Sequence, residues 1–244
     1  LKEPSSYFGA NKVFNNLGSI DEPKYKHIEI LDPHEKNFLL LTHKKDDEIF
    51  SVLPDSLKKA INDFIIVNVI RTLRGKEFKH RTMMINISRF NAIQYKIYDK
   101  INDYIDLMKN TISQTYKSDF NNFIRDPYMN DLYEEYNDEF FSEIREEFTW
   151  DQIQEGLNNE IQQFIVTVVN NNNKKNRFNY DNYEKEGARV IAIGGFILSR
   201  GLTLEGLMIS YFNRKANAYD TVLQMCRWFG YRPGYEDLCR IYMT

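Results

Sequence analysis

Short apolar runs separated by helix-patterned stretches are what most constrain this chain. Thr82–Ser88, Gln163–Val169, Arg189–Ile193, Gly206–Phe212 and Leu238–Met243 each have the length and β-branched or apolar content of a buried strand. Helical patterns lie between several of them. Leu57 to about Arg74 is apolar almost all round, with Ser56 read as its N-cap and Gly75 as its stop. Arg89–Asn110 carries Phe90, Ile93, Ile97, Ile101, Tyr104, Ile105 and Met108 at helical spacing, and Ala216–Gly230 reads as a further helix. Strands alternating with helices predict an α/β fold, a parallel sheet joined by right-handed crossovers. Ligands of such sheets sit at the carboxyl ends of the strands, so the loops after Ser88, Ile193 and Phe212 are where chemistry is expected.

The remaining segments read differently. Residues 1–55 form an irregular lead-in broken by Pro4, Pro23, Pro33 and Pro54, with strand candidates at His27–Leu31 and Asn37–Thr42. Residues 111–160 are acidic and aromatic and read as an inserted helical subdomain. Residues 56–110 and 161–244 make up the principal lobe, and Asn170 to Gly187 reads as a polar, mobile loop.

Composition narrows the partners. The chain has 244 residues, 42% of them hydrophobic, enough for a sizeable core. Its formal net charge is -3, so any nucleic-acid contact must come from a local basic patch. Two cysteines, Cys226 and Cys239, make neither a disulfide framework nor a zinc site, which fits a reducing cytoplasm. No apolar run reaches the roughly 18 residues of a membrane span. No signal peptide opens the chain, which starts at Leu1 and reads as a piece of a longer protein. The heavy use of Asn, Lys, Ile and Tyr points to an AT-rich bacterial genome.

Two motifs carry chemistry. In the first, a strand runs into Gly194-Gly195, then Ser199-Arg200-Gly201, Thr203, Glu205 and a second strand. Glycines after a strand allow a phosphate to approach main-chain N–H groups, but any tight strand-to-helix turn uses them too. In the second, Gln224-Met-Cys-Arg227-Trp-Phe-Gly230-Tyr-Arg232 ends the Ala216 helix. Guanidinium forks at such a place suit polyphosphates, or they cap the helix and pair with Glu236 or Asp237.

Taken together, the two motifs resemble those of the second lobe of superfamily-two helicases. The likeness is closer to a bacterial family of endonuclease-type domains named Z1, whose hallmark resembles Gly-Gly-x-x-Leu-Ser-Arg-Gly-Leu-Thr-Leu-Glu-Gly-Leu followed by Gln-Met-x-Arg-Trp-Phe-Gly-Tyr-Arg. Tyr7-Phe-Gly9, Arg74-Gly75, His80 and Ile87-Ser88-Arg89-Phe90 share the likeness, which spans most of the chain outside 111–160. Thr203 stands where helicases usually have Asp, Cys226 where they have Gly, and Arg232 falls one residue late.

The resemblance implies a RecA-like sheet of the P-loop NTPase type and a part in ATP-driven work on nucleic acid, DNA first among the partners, within a restriction or defence enzyme. It implies that Ser88, Arg89, Gly194, Gly195, Ser199 and Arg200 touch the nucleic-acid backbone or couple it to the nucleotide. Gly201, Thr203 and Glu205 would border the nucleotide, and Gln224, Arg227 and Arg232 would face ATP, the arginines as fingers. Trp228 and Phe229 are expected to be core anchors. No Gly-x-x-x-x-Gly-Lys-Ser/Thr loop is present, and Asp47-Glu48 lacks the buried strand a Walker-B acid needs. ATP and Mg²⁺ are therefore expected to be held mainly by an upstream lobe.

Nuclease chemistry within the chain finds little footing. His34-Glu-Lys36 and His43-Lys-Lys45 lack the Asp of a phospholipase-type nuclease, and Glu22-Pro-Lys24 is interrupted by proline. The carboxylates of 131–147 could hold Mg²⁺, or they form a solvated helix face. The alternatives to a motor lobe are thus a metal-dependent endonuclease domain and a non-catalytic α/β interaction module.

Overall fold

The computed structural model describes residues 7–9, 13, 27–35, 43–170, 178–195, 198, 203–213 and 230–244. Its centre is a six-stranded sheet, parallel throughout. The strands are β2 (Ile28–Ile30), β3 (Arg81–Asn86), β4 (Phe164–Val169), β5 (Arg189–Gly194), β6 (Leu207–Phe212) and β8 (Arg240–Met243), in the spatial order β2-β8-β6-β3-β5-β4. A separate antiparallel pair joins β1 (Tyr7–Phe8) to β7 (Gly230–Tyr231). Every residue of β3, β5 and β6 is buried, as the continuous apolar runs require of strands covered on both faces.

One face is covered by helices. These are α1 (Asp55–Leu73), α2 (Asn91–Thr115) and, after the short α3 (Phe120–Phe123), α4 (Pro127–Tyr136) and α5 (Ile144–Glu147), α6 (Trp150–Ile161). α1 packs on β6, α2 on β4 and β5, and α6 on both of those helices. α1 is apolar all round because α4 and α6 cover the side that the sheet does not. On α2 the buried stripe Ile93, Ile97, Ile101, Ile105, Met108 and Ile112 follows the helical period to the end of the helix.

The 111–160 segment contributes no strand, in line with a helical insertion, yet it does not merely decorate the sheet. Residues 111–115 complete α2, and the helices after them bury Phe123, Leu132, Phe141, Ile153 and Leu157 in the principal core.

The other face carries a smaller cluster, with Met84, Val190, Ala192, Leu198, Leu204 and Tyr180 among its members. Here the expectation of a mobile polar loop fails for residues 178–187. Phe178, Tyr180 and Tyr183 pack together there, and the Tyr180 hydroxyl bonds Thr82 Oγ1 at 2.7 Å. Three closely spaced aromatics bury enough surface to fix the backbone that carries them.

The start of α1 also differs from expectation. Its N-cap is Pro54 and not Ser56. The Glu35 carboxylate accepts the Ser56 N–H at 2.6 Å, while Ser56 Oγ bonds the Tyr211 hydroxyl at 2.8 Å. The lead-in thus supplies the anion that a helix amino terminus favours. The strand candidate Asn37–Thr42 and residues 216–229 of the Ala216 helix lie outside the described residues, and Gly230 belongs to β7. Among the described residues, no helix is long and apolar enough to cross a membrane.

The winding of the sheet singles out one strand. The chain leaves β3 through α2 on the helical face. It leaves β5 past Leu198 and Leu204 on the opposite face. β5, a direct neighbour of β3, therefore exits on the side that β3 does not. A crevice opens outside the carboxyl end of a strand in that situation.

Candidate functional site

The residues at the head of β3 are Asn86, Ile87, Ser88 and Arg89. Ser88 is 1% exposed and bonded internally. Its hydroxyl accepts the Phe90 N–H at 3.0 Å and pairs with His43 Nε2 at 2.8 Å, and its carbonyl accepts from Gln94 Nε2 at 3.0 Å. Ser88 is thus a pin between the lead-in, the end of β3 and the start of α2. Arg89 is exposed, its guanidinium 4.7 Å from the centre of the Phe90 ring. His43 meets the same ring edge-on at 6.0 Å. Of the two residues expected to touch phosphate here, Arg89 is the one presented to solvent. Asn86 is fully buried, and neither end of its amide has a hydrogen-bond partner. A polar group left so in the interior is uncommon and calls for an explanation.

Gly194 and Gly195 lie beside this head, and the structure accounts for both by packing. A Cβ on Gly194 would stand 2.7 Å from the Val169 carbonyl oxygen and 2.8 Å from Leu198 Cγ. One on Gly195 would stand 2.8 Å from Gln94 Nε2 and 3.0 Å from the Ser88 carbonyl oxygen. The space that a phosphate would need on those faces is filled by the protein.

Strand direction moves other expected site residues away. β5 ends at the carboxyl edge and β6 begins at the amino edge, so the chain between them must run back along the sheet. Glu205 arrives at the amino edge, where its carbonyl accepts from Thr82 Oγ1 at 2.7 Å and its carboxylate stands 3.8 Å from His80 Nε2. Thr203, two residues before it, is exposed. Glu205 is therefore about one strand length, roughly 17–20 Å, from Ser88. Thr203 and Glu205, which the resemblance sets beside the nucleotide, thus belong to the edge opposite the strand heads.

Arg232 is at that edge as well. Its guanidinium donates to the Leu207 carbonyl at the first residue of β6 and lies against the Phe8 and Tyr235 rings. Asp237, one of the acids considered as its partner, pairs with Arg74 at 2.7 Å. Burial pushes the neighbouring Cys239 thiol up to about 12. Ser199, Arg200, Gly201, Gln224, Arg227, Trp228 and Phe229 lie outside the described residues.

A second crevice, a cavity of about 690 Å³, opens where α1 begins beside β2 and α4. Glu29, Asp32, Glu35, Asp55, Asp131 and Glu134 outnumber Lys58 and Lys59 in its lining, so it repels phosphate. Three of the carboxylates considered for Mg²⁺ are engaged with arginines. Glu135 and Asp138 face Arg240 at 3.4 and 3.3 Å, and Glu147 pairs with Arg74. Among the described residues, no group of three or more His, Cys, Asp or Glu is placed to hold a metal ion.

Sequence reasoning missed His43, which it weighed only as half of a nuclease motif. Its bond to Ser88 crosses 45 residues, a separation at which one sequence shows no pairing signal.

Comparison with curated proteins finds no match, and neither does comparison with solved structures. The family model described as the Z1 domain matches residues 56–244, a span that runs from the first turn of α1 through every strand of the main sheet except β2 and takes in the head of β3. That match covers well over half of the sequence, and the chain belongs to the Z1 domain family.

Proposed function

We propose that this chain is the second, RecA-like motor lobe of a nucleic-acid-dependent ATPase, with ATP and Mg²⁺ gripped by an upstream lobe of the same protein. The observation that carries the reading is the winding of the sheet. It routes the chain out of β3 and out of its neighbour β5 on opposite faces, the situation in which a crevice forms at the strand heads, and the solvent-facing Arg89 stands there. A guanidinium at such a place suits a phosphodiester oxygen. Ser199, Arg200 and the arginine finger Arg227 keep the roles that the resemblance gives them within this proposal, whereas Arg232, buried at the amino edge against Leu207, Phe8 and Tyr235, is a structural residue in it. The lining of protein around Gly194, Gly195 and Ser88 favours a second reading, a non-catalytic α/β interaction module.

Oligonucleotide binding separates the two. The purified chain is expected to bind a short single-stranded oligonucleotide weakly, with an affinity that falls as salt rises. Arg89→Gln should flatten the plot of log affinity against log salt by about 0.7 units, the contribution of one phosphate contact on a single strand. ATP turnover by the chain alone would overturn the motor-lobe assignment. Binding that ignores both salt and Arg89 would favour the interaction module.

A further inference from the structure

The lead-in segment reaches the same crevice, and residues 43–55 of it lie before the stretch matched by the family model. His43 bonds Ser88, and Lys96 Nζ on α2 donates to the Asp47 carbonyl at 3.2 Å. Between these two fastenings the chain makes a turn, closed by the Lys44 N–H donating to Asp47 Oδ2 at 2.7 Å. Farther on, Phe50 and Leu53 sink into the core and anchor the segment. The turn therefore has a fixed place on the head of the sheet.

Its charges are sorted. Asp47 spends its carboxylate on the turn itself, and Glu48 lies 4.0 Å from Lys96. Lys44 and Lys45 are exposed, with Asp46 the exposed acid that follows them. His43 and Arg89 both pack on the Phe90 ring, so the two lysines continue from a residue that shares a ring with Arg89.

We infer that the His43–Glu48 turn is the second half of the phosphate-contacting surface. Lys44 and Lys45 take backbone phosphates of a single-stranded nucleic acid next to the one at Arg89, and His43 is the positioning residue that holds the turn in place through Ser88. This inference rests on the reading of the β3 head as a nucleic-acid crevice. The turn itself holds two lysines and three acids, so the cationic surface is the one that Lys44 and Lys45 make with Arg89 and Lys96, with Asp47 turned to the Lys44 N–H and Glu48 toward Lys96. A flexible lysine pays conformational entropy for each contact, and a turn tied at both ends lowers that cost for the pair.

The test uses the whole chain and a fluorescent dT oligonucleotide, titrated across a salt series. The Lys44→Gln, Lys45→Gln double variant should lose about 1.4 units of salt slope, two single-strand contacts, and bind about twentyfold more weakly at 0.1 M salt. His43→Ala should weaken binding several-fold without a matching fall in thermal midpoint. His43→Gln should restore it, because an amide can still reach the Ser88 hydroxyl. An unchanged slope in the double lysine variant, with Arg89→Gln still flattening it, would overturn this inference and leave the crevice reading standing. Binding that neither the lysine nor the Arg89 variants alter would take down both. Failure of His43→Gln to restore affinity would remove the positioning role.

Discussion

Glu160→Ala should cost the fold about 3–5 kcal/mol, the range for breaking a buried ion pair by removing one partner. Glu160 sits in the last turn of α6 and is 1% exposed. One carboxylate oxygen accepts from Arg81 at 2.7 Å and from Arg189 at 3.1 Å, and the other accepts the Thr72 hydroxyl at 2.7 Å. Arg81 and Arg189 open β3 and β5, so this single acid fastens the last helix of the 111–160 segment to the amino edge of the sheet.

Backbone carbonyls share the load. Asn68 and Lys76 accept from Arg81, and Glu186 and Gly187 from Arg189. Carbonyls offer only partial charges, however, and burial already drives the Arg81 guanidinium down to about 10 even with Glu160 beside it. Without the carboxylate, two buried cations face each other across adjacent strands. A domain has roughly 5–15 kcal/mol to lose, so the variant should melt on the order of 10 °C lower or fail to accumulate folded. Glu160→Gln should recover the packing and only part of the stability, because an amide cannot neutralise either arginine. A midpoint within a degree or two of the parent for Glu160→Ala would show that the carbonyls suffice.

The amino edge was the least legible part of the sequence, and the reason is distance along the chain. The strands themselves are readable because a run buried on both faces is nearly continuous in apolar residues. Thr82–Ser88 and Arg189–Ile193 match β3 and β5 to within two residues. Charged residues inside such runs gave no hint of their partners. Arg240 meets Asp63 across 177 residues, and Arg81 meets Glu160 across 79.

The candidate site was half legible for a related reason. The loop after Ser88 is marked by the rule that ligands of parallel sheets sit at the carboxyl ends of strands, and the structure puts Ser88 and Arg89 at the head of β3, while their contact roles come from the resemblance alone. Thr203 and Glu205 are set beside the nucleotide by the resemblance, which carries no information on which edge of the sheet they reach. A parallel neighbour can start only at the amino edge, however, and about ten residues are enough to span the sheet and carry them there. Packing explains the glycine pair without a ligand, which no spacing rule could have shown.

The acid cluster beside β2 should make stability fall as pH rises, and Glu135→Gln should abolish much of that fall. Asp63 and Arg240 are wholly buried, and Asp63 accepts the Tyr242 hydroxyl at 2.6 Å and lies 3.2 Å from Arg240. Glu135 and Glu29 crowd the same guanidinium, with Lys59 as the remaining cation. Burial comes first, and the Asp63 carboxylate second, in pushing the Glu135 carboxyl up to about 10. The folded chain thus keeps a proton on Glu135 that the unfolded chain releases near 4.5. Between those two values the folded state binds more protons than the unfolded state. Stability from this group is full below the lower value and drains away as pH rises toward the upper one, by at most about 1.4 kcal/mol per pH unit. Glutamine has the shape of the protonated acid and nothing to release. The variant and the parent should therefore melt together near pH 5 and separate as pH rises, with the variant higher by several degrees at pH 8. Thermal melts of both across pH 5–9 check this. Parallel curves would mean that Asp63 and Glu135 both stay ionised, with Arg240 and Lys59 neutralising them.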